Sequence, residues 1–548
     1  MIKLISALFF LCICNLPVSA QVKATGAGNM NTSKWVIKNI KTDFGARGDG
    51  RTNDHVAFKK AAAFIIKNGG NVRLLIPPGV YMVGKQFVNK GRENKLPVYQ
   101  GDPLFDFQNI KNVSIEGTTG TRIIYKDAMF LGTFEPETGN KPYDLAKYNP
   151  SAPHNENPSY DYKLVATIGN FVNLVDCENI SIKNIDANGN SDNYTFGGYW
   201  GLGGKPYEIS NCYGLYLYNI RNCTFENLKL HDFAVDNICI GGAFLNDDTS
   251  KPLTNNIYLN KIDCYNSGRN NFSWVGGKNI TVCNSTFNYA GIKKITTKPA
   301  YGMDIEPEGT QAKVLCSNGY FYNNVYAYNA GLAVTAGTSL DNPSRAEGYG
   351  YSYNHYFLKC VFIGKTNAAV HNFINRVTFD SCQFYGQFLN YGSSISNSIK
   401  PVIIKNSLFS DCYNGERMYN QPLLSIETGY RMIIDNCVFN KYTSSNPKDW
   451  IFYYGSTIYP CDDDSNKPLF ENSEFKYFAA ADNTVRYISI GRKIKFNNNK
   501  FYKPNSDNIR WYNIVGCKPG IGEGNTDLGN GLQYFNLPEH YSIPKCSN

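Results

Sequence analysis

Ser381-Cys382-Gln383-Phe384, Asn406-Ser407-Leu408-Phe409, Asn436-Cys437-Val438-Phe439, Asn472-Ser473-Glu474-Phe475 and Asn498-Asn499-Lys500-Phe501 repeat one pattern. Each is Asn or a similar residue, a small residue, any residue, then Phe. The successive Phe residues lie 25, 30, 36 and 26 positions apart. Short strands such as Ile280-Thr281-Val282 precede these units, with the apolar–polar alternation of a pleated strand. A unit this short, made of strands without a helix, cannot bury its own apolar face. Stacking solves that and predicts a parallel solenoid with a continuous core. The small residue and the Phe recur because each rung sets a side chain above its counterpart. Asn recurs because it tolerates left-handed backbone and its amide can bond the next rung at a tight turn. A β-propeller is excluded, because its blades need about 40–45 residues and four antiparallel strands.

Working outward, Asn222-Cys223-Thr224-Phe225 and Asn284-Ser285-Thr286-Phe287 carry the same pattern. The 62 residues between Phe225 and Phe287 read as about two repeats. Variable spacing implies loops of different length on one edge, where binding usually sits. Composition agrees. The 548 residues are 42% hydrophobic and only 18% charged, which excludes a disordered chain. With 40 Tyr, 33 Phe and 49 Gly, the chain suits short strands and tight turns rather than a helical bundle.

Residues 1–20 read as a secretory signal peptide. Lys3 supplies the basic region, Leu4 to Leu16 the apolar run, and Val18-Ser19-Ala20 the small residues before cleavage at Gln21. Cys12 and Cys14 lack the small residues a lipidation box needs. No other segment approaches 18 apolar residues, so no transmembrane segment is expected. The net charge of +9 is not gathered into runs longer than Lys59-Lys60 or Lys293-Lys294, which argues against nucleic acid. A modest positive field suits an acidic glycan, and ordinary surface charge accounts for it equally well. The 16 Cys form no CxxC pairs, so zinc is not expected. Several occupy the small position of the repeat, as buried fillers or as disulfides where neighbours stack.

Both ends of a solenoid need caps. Thr52 or Asn53 can cap a helix whose apolar stripe is Val56, Phe58, Ala61, Ala62 and Ile65. Gly69-Gly70 ends it, and a strand follows at Val72 to Ile76. Asp43-Phe44-Gly45-Ala46-Arg47-Gly48-Asp49-Gly50, this helix, Gly69-Gly70 and Ile76-Pro77-Pro78-Gly79-Val80-Tyr81 resemble the opening of pectate-lyase-like β-helix proteins. Rhamnogalacturonase-like and polygalacturonase-like enzymes belong to that group. The resemblance implies an all-β, right-handed parallel β-helix with an N-terminal capping helix, and a polysaccharide partner. It implies one domain over 21–548: cap about 36–85, rungs about 100–510, C-terminal cap about 510–548. The polygalacturonase signature is not reproduced. Asn525-Thr526-Asp527 falls out of order, Asp247-Asp248 sits in a loop, and Gly-His-Gly and Arg-Ile-Lys are missing.

Aligning rungs by their glycine-containing turns matches Asn237, Asn271, Gly302 and Gly331, at spacings of 34, 31 and 29. Alternation then points Ile238, Phe272, Met303 and Leu332 inward, and Cys239, Ser273, Asp304 and Ala333 outward. Glu306 follows Asp304 on the same face. Asp236 and Arg269 flank the column from the turns. Asp236, Asp304 and Glu306 are the expected catalytic carboxylates, since glycosidic hydrolysis needs one acid and one base or nucleophile. His231, Asp232, Arg269 and Asn270 are the expected substrate-binding residues. Trp200 joins them from the Gly-rich insertion Asn188 to Gly204, where aromatics could stack on sugar rings. His154, His355 and His371 read as structural. No metal is required for hydrolysis. A lyase is the alternative, with Arg269, His231 or Lys293-Lys294 as base and Ca²⁺ held by the carboxylates. A non-catalytic, glycan-binding or adhesive β-helix is the third reading.

Overall fold

The computed structural model describes residues 35–90, 97–134, 165–197, 212–242, 253–307, 315–336, 351–373, 376–390, 401–419, 422–426, 432–442, 451–454, 468–478, 488–490, 495–502 and 512–514. The leader, Trp200, His154 and nearly all of the expected C-terminal cap lie outside them.

Two parallel sheets of 25 and 13 strands run the length of the described chain. One rung shows the plan. Gly277–Cys283 and Thr286–Asn288 lie in the larger sheet, meeting at the corner Asn284-Ser285, and Met303–Ile305 lies in the smaller sheet. Each strand pairs with its counterpart one rung on, so Thr286, Phe287 and Asn288 face Val325, Tyr326 and Ala327. The result is a right-handed parallel β-helix, the hand that parallel crossovers favour. One cluster of buried apolar side chains extends from Ile40 to Phe475.

The repeat is visible atom by atom. Phe287, Tyr326, Phe362, Phe384, Phe409, Phe439 and Phe475 form an internal ring stack, with successive centroids 4.4 to 5.4 Å apart. The corner asparagines adopt left-handed backbone, Asn284 at φ 51° and Asn323 at φ 53°. Their amides bond rung to rung, Asn323 Nδ2 donating to Asn284 Oδ1 at 2.9 Å and Asn284 to Asn260 at 3.0 Å. A second ladder runs from Asn354 through Asn318 and Asn279 to Asn255.

That second ladder corrects one expectation. Phe225 pairs with Leu259, and Leu259 with Val282. Phe287 instead pairs with Cys264, which pairs with Leu230. The two motifs therefore sit at different corners. Both corners of a rung set a left-handed polar residue before a buried one, so Asn222-Cys223 and Asn284-Ser285 carry the same letters at different corners. At the small position Cys223, Cys382 and Cys437 are buried free thiols. Cys412 is disulfide-bonded.

The capping helix spans His55–Lys67 with Asp54 as its N-cap, a residue or two later than expected. The Asp54 carboxylate is already committed to the Arg47 and Gly48 amides, and Asn53 accepts the His55 amide at 3.1 Å. The buried stripe is Ala57, Phe58, Ala61, Ala62 and Ile65, while Val56 is exposed. The helix ends at Gly69-Gly70, both at positive φ. A Cβ on Gly70 would sit 1.8 Å from the Lys111 carbonyl oxygen, so only glycine fits.

Candidate functional site

Three turns feed three neighbouring strands of the smaller sheet: 232–237 into Ile238–Gly241, 266–271 into Phe272–Trp274, and 298–302 into Met303–Ile305. The register is the expected one, with Ile238, Phe272 and Met303 inward and Cys239, Ser273 and Asp304 outward. Inside the corner, Asn237 donates to Asn271 at 2.8 Å and Asn271 to Asn329 at 3.1 Å, locking the turns together.

The fourth rung departs from expectation by two residues. Met303 pairs with Val334 and Asp304 with Thr335, rather than with Leu332 and Ala333. Gly302 and Gly331 are both required by close approach, but to different atoms. A Cβ on Gly302 would meet the Ala333 carbonyl oxygen at 2.5 Å, and one on Gly331 the Pro299 carbonyl oxygen at 2.2 Å. They are not equivalent positions, so aligning on them slips the register. The shift is even, so the outward parity survives.

Asp236, Arg269, Asn270 and Asp304 are joined in one network. Asp236 is completely buried. Arg269 clasps it bidentately, Nε to Oδ1 at 2.8 Å and Nη2 to Oδ2 at 2.7 Å, and the Asn270 amide adds a third bond at 3.0 Å. Burial opposes the guanidinium charge, but Asp236 outweighs it and holds the Arg269 pKa well above its usual value. The Asn270 side chain donates to Ser273 Oγ at 3.0 Å and to Asp304 Oδ2 at 3.3 Å, and accepts from the Tyr301 amide at 2.8 Å. Asp304 is 6% exposed, whereas Glu306 is exposed just beyond the strand end. There the Glu306 amide bonds the Trp274 carbonyl at 2.9 Å.

His231 and Asp232 form a second cluster, at the start of the 232–237 turn. His231 Nδ1 lies 2.6 Å from Asp232 Oδ2, and Nε2 2.9 Å from Asp186 Oδ1. The Tyr265 ring stacks on the imidazole, centroids 4.4 Å apart. Burial works against the charged imidazole, yet the hydrogen bonds to Asp186 and Asp232 prevail and raise its pKa. Asp186 is lowered: burial raises it, and the bond to His231 more than compensates. Asn266 donates to Asp232 at 3.1 Å, and Lys293 bridges Asp192 at 3.0 Å and Asp232 at 4.0 Å.

Sequence reasoning missed several members. Asp186 sits diagonally opposite His231, because Asp186 pairs with Lys229 and Asn188 with His231. The alternation Ile185-Asp186-Ala187-Asn188 against Leu228-Lys229-Leu230-His231 is the signal that finds it, once the alignment is carried one rung upstream. His371 lies outward in the Asp304 column, beyond Thr335, whose hydroxyl is 3.2 Å from its Nδ1. Burial pushes His371 down to about 4. His355 faces the core, edge-on to Trp274 at 5.2 Å, and burial pushes it down to about 3. Among the described residues no group of three or more His, Cys, Asp and Glu side chains is arranged to hold a metal ion. No described helix is long and apolar enough to cross a membrane.

No family model and no curated protein matches this chain. Among solved structures, the A-module of mannuronan C-5 epimerase AlgE6 from Azotobacter vinelandii aligns over 89% of this chain and 98% of its own, at 13% identity and TM-score 0.49. The N-terminal fragment of bacteriophage Phi29 gene product 12 aligns over 91% of this chain and 74% of its own, at 15% identity and TM-score 0.48. The Agl-KA catalytic domain aligns over 89% and 69%, at 13% identity and TM-score 0.46. These likenesses concern the path of the backbone. The stacked parallel sheets, three strands to a rung, are those of a right-handed parallel β-helix.

Proposed function

We propose that the chain is a polysaccharide-cleaving glycoside hydrolase whose acid–base pair is Asp304 and Glu306. The observation that carries this reading is the contrast between two carboxylates on one face of one rung. Asp304 is sealed and held by Asn270, and Glu306 is open to water. Such contrast suits the division of labour hydrolysis needs, the dehydrated group donating the proton and the hydrated one activating water.

Asp236 takes a different part in this reading. Its oxygens are engaged by Arg269 and the Asn270 amide, so it positions the turn that carries Asn270. Elimination is less well supported, because three of its four candidate bases are bound to carboxylates, and the fourth, Lys294, is exposed to water. Arg269 is bound to Asp236, His231 to Asp186 and Asp232, and Lys293 to Asp192. The leader supports export as a single β-helix domain, residues 21–548, and the Cys412 disulfide fits an oxidising compartment.

The test incubates the mature chain with a panel of polysaccharides and follows reducing ends and absorbance near 235 nm together. Hydrolysis gives reducing ends without absorbance. Asp304→Asn and Glu306→Gln are expected to lower kcat at least about 100-fold while the fold is kept. Absorbance rising with product would transfer the assignment to a lyase, and retention of glycan without cleavage would leave a binding module.

A further inference from the structure

We infer that Tyr289 and Tyr328 form a second carbohydrate-contact site, at the larger-sheet end of the 289–302 turn, whose other end leads into Met303 and Asp304. Its ligand is a pyranose unit of a polysaccharide, held by the C–H face of the sugar ring. This rests on a polysaccharide being the partner, but not on which carboxylate is catalytic.

The two tyrosines stand where the fold asks for other residues. In the larger sheet His231, Tyr265, Asn288 and Ala327 pair in turn, and the residues after them are Asp232, Asn266, Tyr289 and Tyr328. Gly364 and Gly386 continue the column. The chain turns left-handed there, with φ 57° at Asp232, 56° at Asn266, 61° at Tyr289 and 57° at Tyr328. Asn, Asp and Gly tolerate that conformation, whereas a bulky aromatic residue is strained in it. Strain kept at two successive rungs points to a use for the side chains. Core packing does not account for Tyr289, which is 41% exposed.

The two rings lie nearly parallel, 8° between planes, with centroids 5.7 Å apart. Tyr328 is half-buried against Ala327, Ile363 and Met418, so it backs the freer Tyr289. Upstream of Tyr289 the column carries the Asn266 amide and the Asp232 carboxylate. An aromatic ring beside amide and carboxylate oxygens matches a sugar, whose C–H groups pack on the ring while its hydroxyls donate to the oxygens. A protein partner fits poorly. Two partly exposed rings offer on the order of 200 Å², against ~1,200 Å² for a stable protein interface. The same turn also carries the Lys293–Asp192 ion pair and exposed Lys294, which interrupt an apolar patch.

The experiment is affinity electrophoresis of the full mature chain in gels holding glucan, galactan, mannan, xylan, polygalacturonate or polymannuronate, with chemical denaturation of each variant alongside. Expected is retardation by at least one glycan, equal in the parent and in Asp304→Asn. Tyr289→Asn should weaken that binding about fivefold, and Tyr289→Phe, which keeps the ring, should bind like the parent. The denaturation midpoint of Tyr289→Asn should be no lower than the parent's, because Asn fits the left-handed backbone. Retardation unchanged in Tyr289→Asn would overturn the inference; if Asp304→Asn abolished it as well, the glycan would lie in the Asp304 groove alone. A Tyr289→Asn midpoint well below the parent's would make the ring a structural prop and overturn the inference too. So would self-association of the parent that Tyr289→Asn abolishes while retardation is untouched, since the rings would then join two copies. A parent that no glycan retards would overturn the polysaccharide reading and this inference with it.

Discussion

At the scale of single residues, His231 shows how neighbours decide charge. Its folded pKa is raised, so its contribution to stability is complete below the unfolded value of about 6.5 and is lost as pH rises through the folded value. Asp186 is lowered, so its contribution is complete above about 3.9 and is lost as pH falls through the folded value. The pair therefore stabilises the corner most between about pH 4 and 6.5. His231→Gln should cost about 2 kcal/mol at pH 5 and markedly less at pH 9, measured by chemical denaturation at both. A difference that ignores pH would remove the imidazolium from the account. Much of this scale was legible in the sequence. Alternation alone set Asp304 outward and brought Asp236, Arg269 and Asn270 beside it. What it could not show is commitment. That Arg269 spends its fork on Asp236, or that Asp186 reaches diagonally to His231, depends on turn geometry that spacing does not encode.

At the scale of elements, the corner asparagines carry two duties at once. Asn323 holds left-handed backbone and donates its amide to Asn284. Asn323→Ala loses both and should cost about 1–2 kcal/mol, whereas Asn323→Gly keeps the backbone and should cost less. Denaturant midpoints of the two variants check the order, and an alanine variant as stable as the glycine one would mean the backbone conformation costs nothing there. This pair of duties explains why the repeat could be read from letters: few residues meet both demands, so the same ones return. It also explains the misreading at Phe225. Two corners of a rung both seat a left-handed Asn, and Cys223 stands where the neighbouring rungs place Ile257 and Ile280, so its tetrapeptide carries the letters of the other corner. The fourth-rung slip has a related cause, because glycine marks a close approach without naming the atom approached.

At the scale of the whole molecule, a solenoid has a problem its rungs cannot solve, since the first strand of each sheet offers a free edge. Phe105–Gln108 is the outermost strand of the smaller sheet, and its Phe105 and Phe107 are fully buried. The capping helix supplies the cover. Phe58 meets Phe105 edge-on at 5.7 Å and Tyr81 at 5.6 Å. The helix is also tied down by His55 and Lys59 on Asp102, at 3.0 and 2.9 Å, and by Lys59 on the Pro103 carbonyl at 2.8 Å. An uncovered edge would present unpaired backbone and an apolar face together, the combination that recruits another chain. Phe58→Asp places a charge where no water reaches, so the helix should lift while the rungs below, each held by its own neighbours, stay folded. The expected result is association that grows with concentration in light scattering, with the parallel-strand circular dichroism kept. Tyr322→Asp, exposed on the Leu315–Tyr322 strand well along the stack from that edge, is the control and should remain unassociated. If Phe58→Asp unfolded the entire chain in one step, the helix would be part of a single cooperative unit rather than a cap. If it stayed unassociated at every concentration, the edge would be protected by something other than the helix.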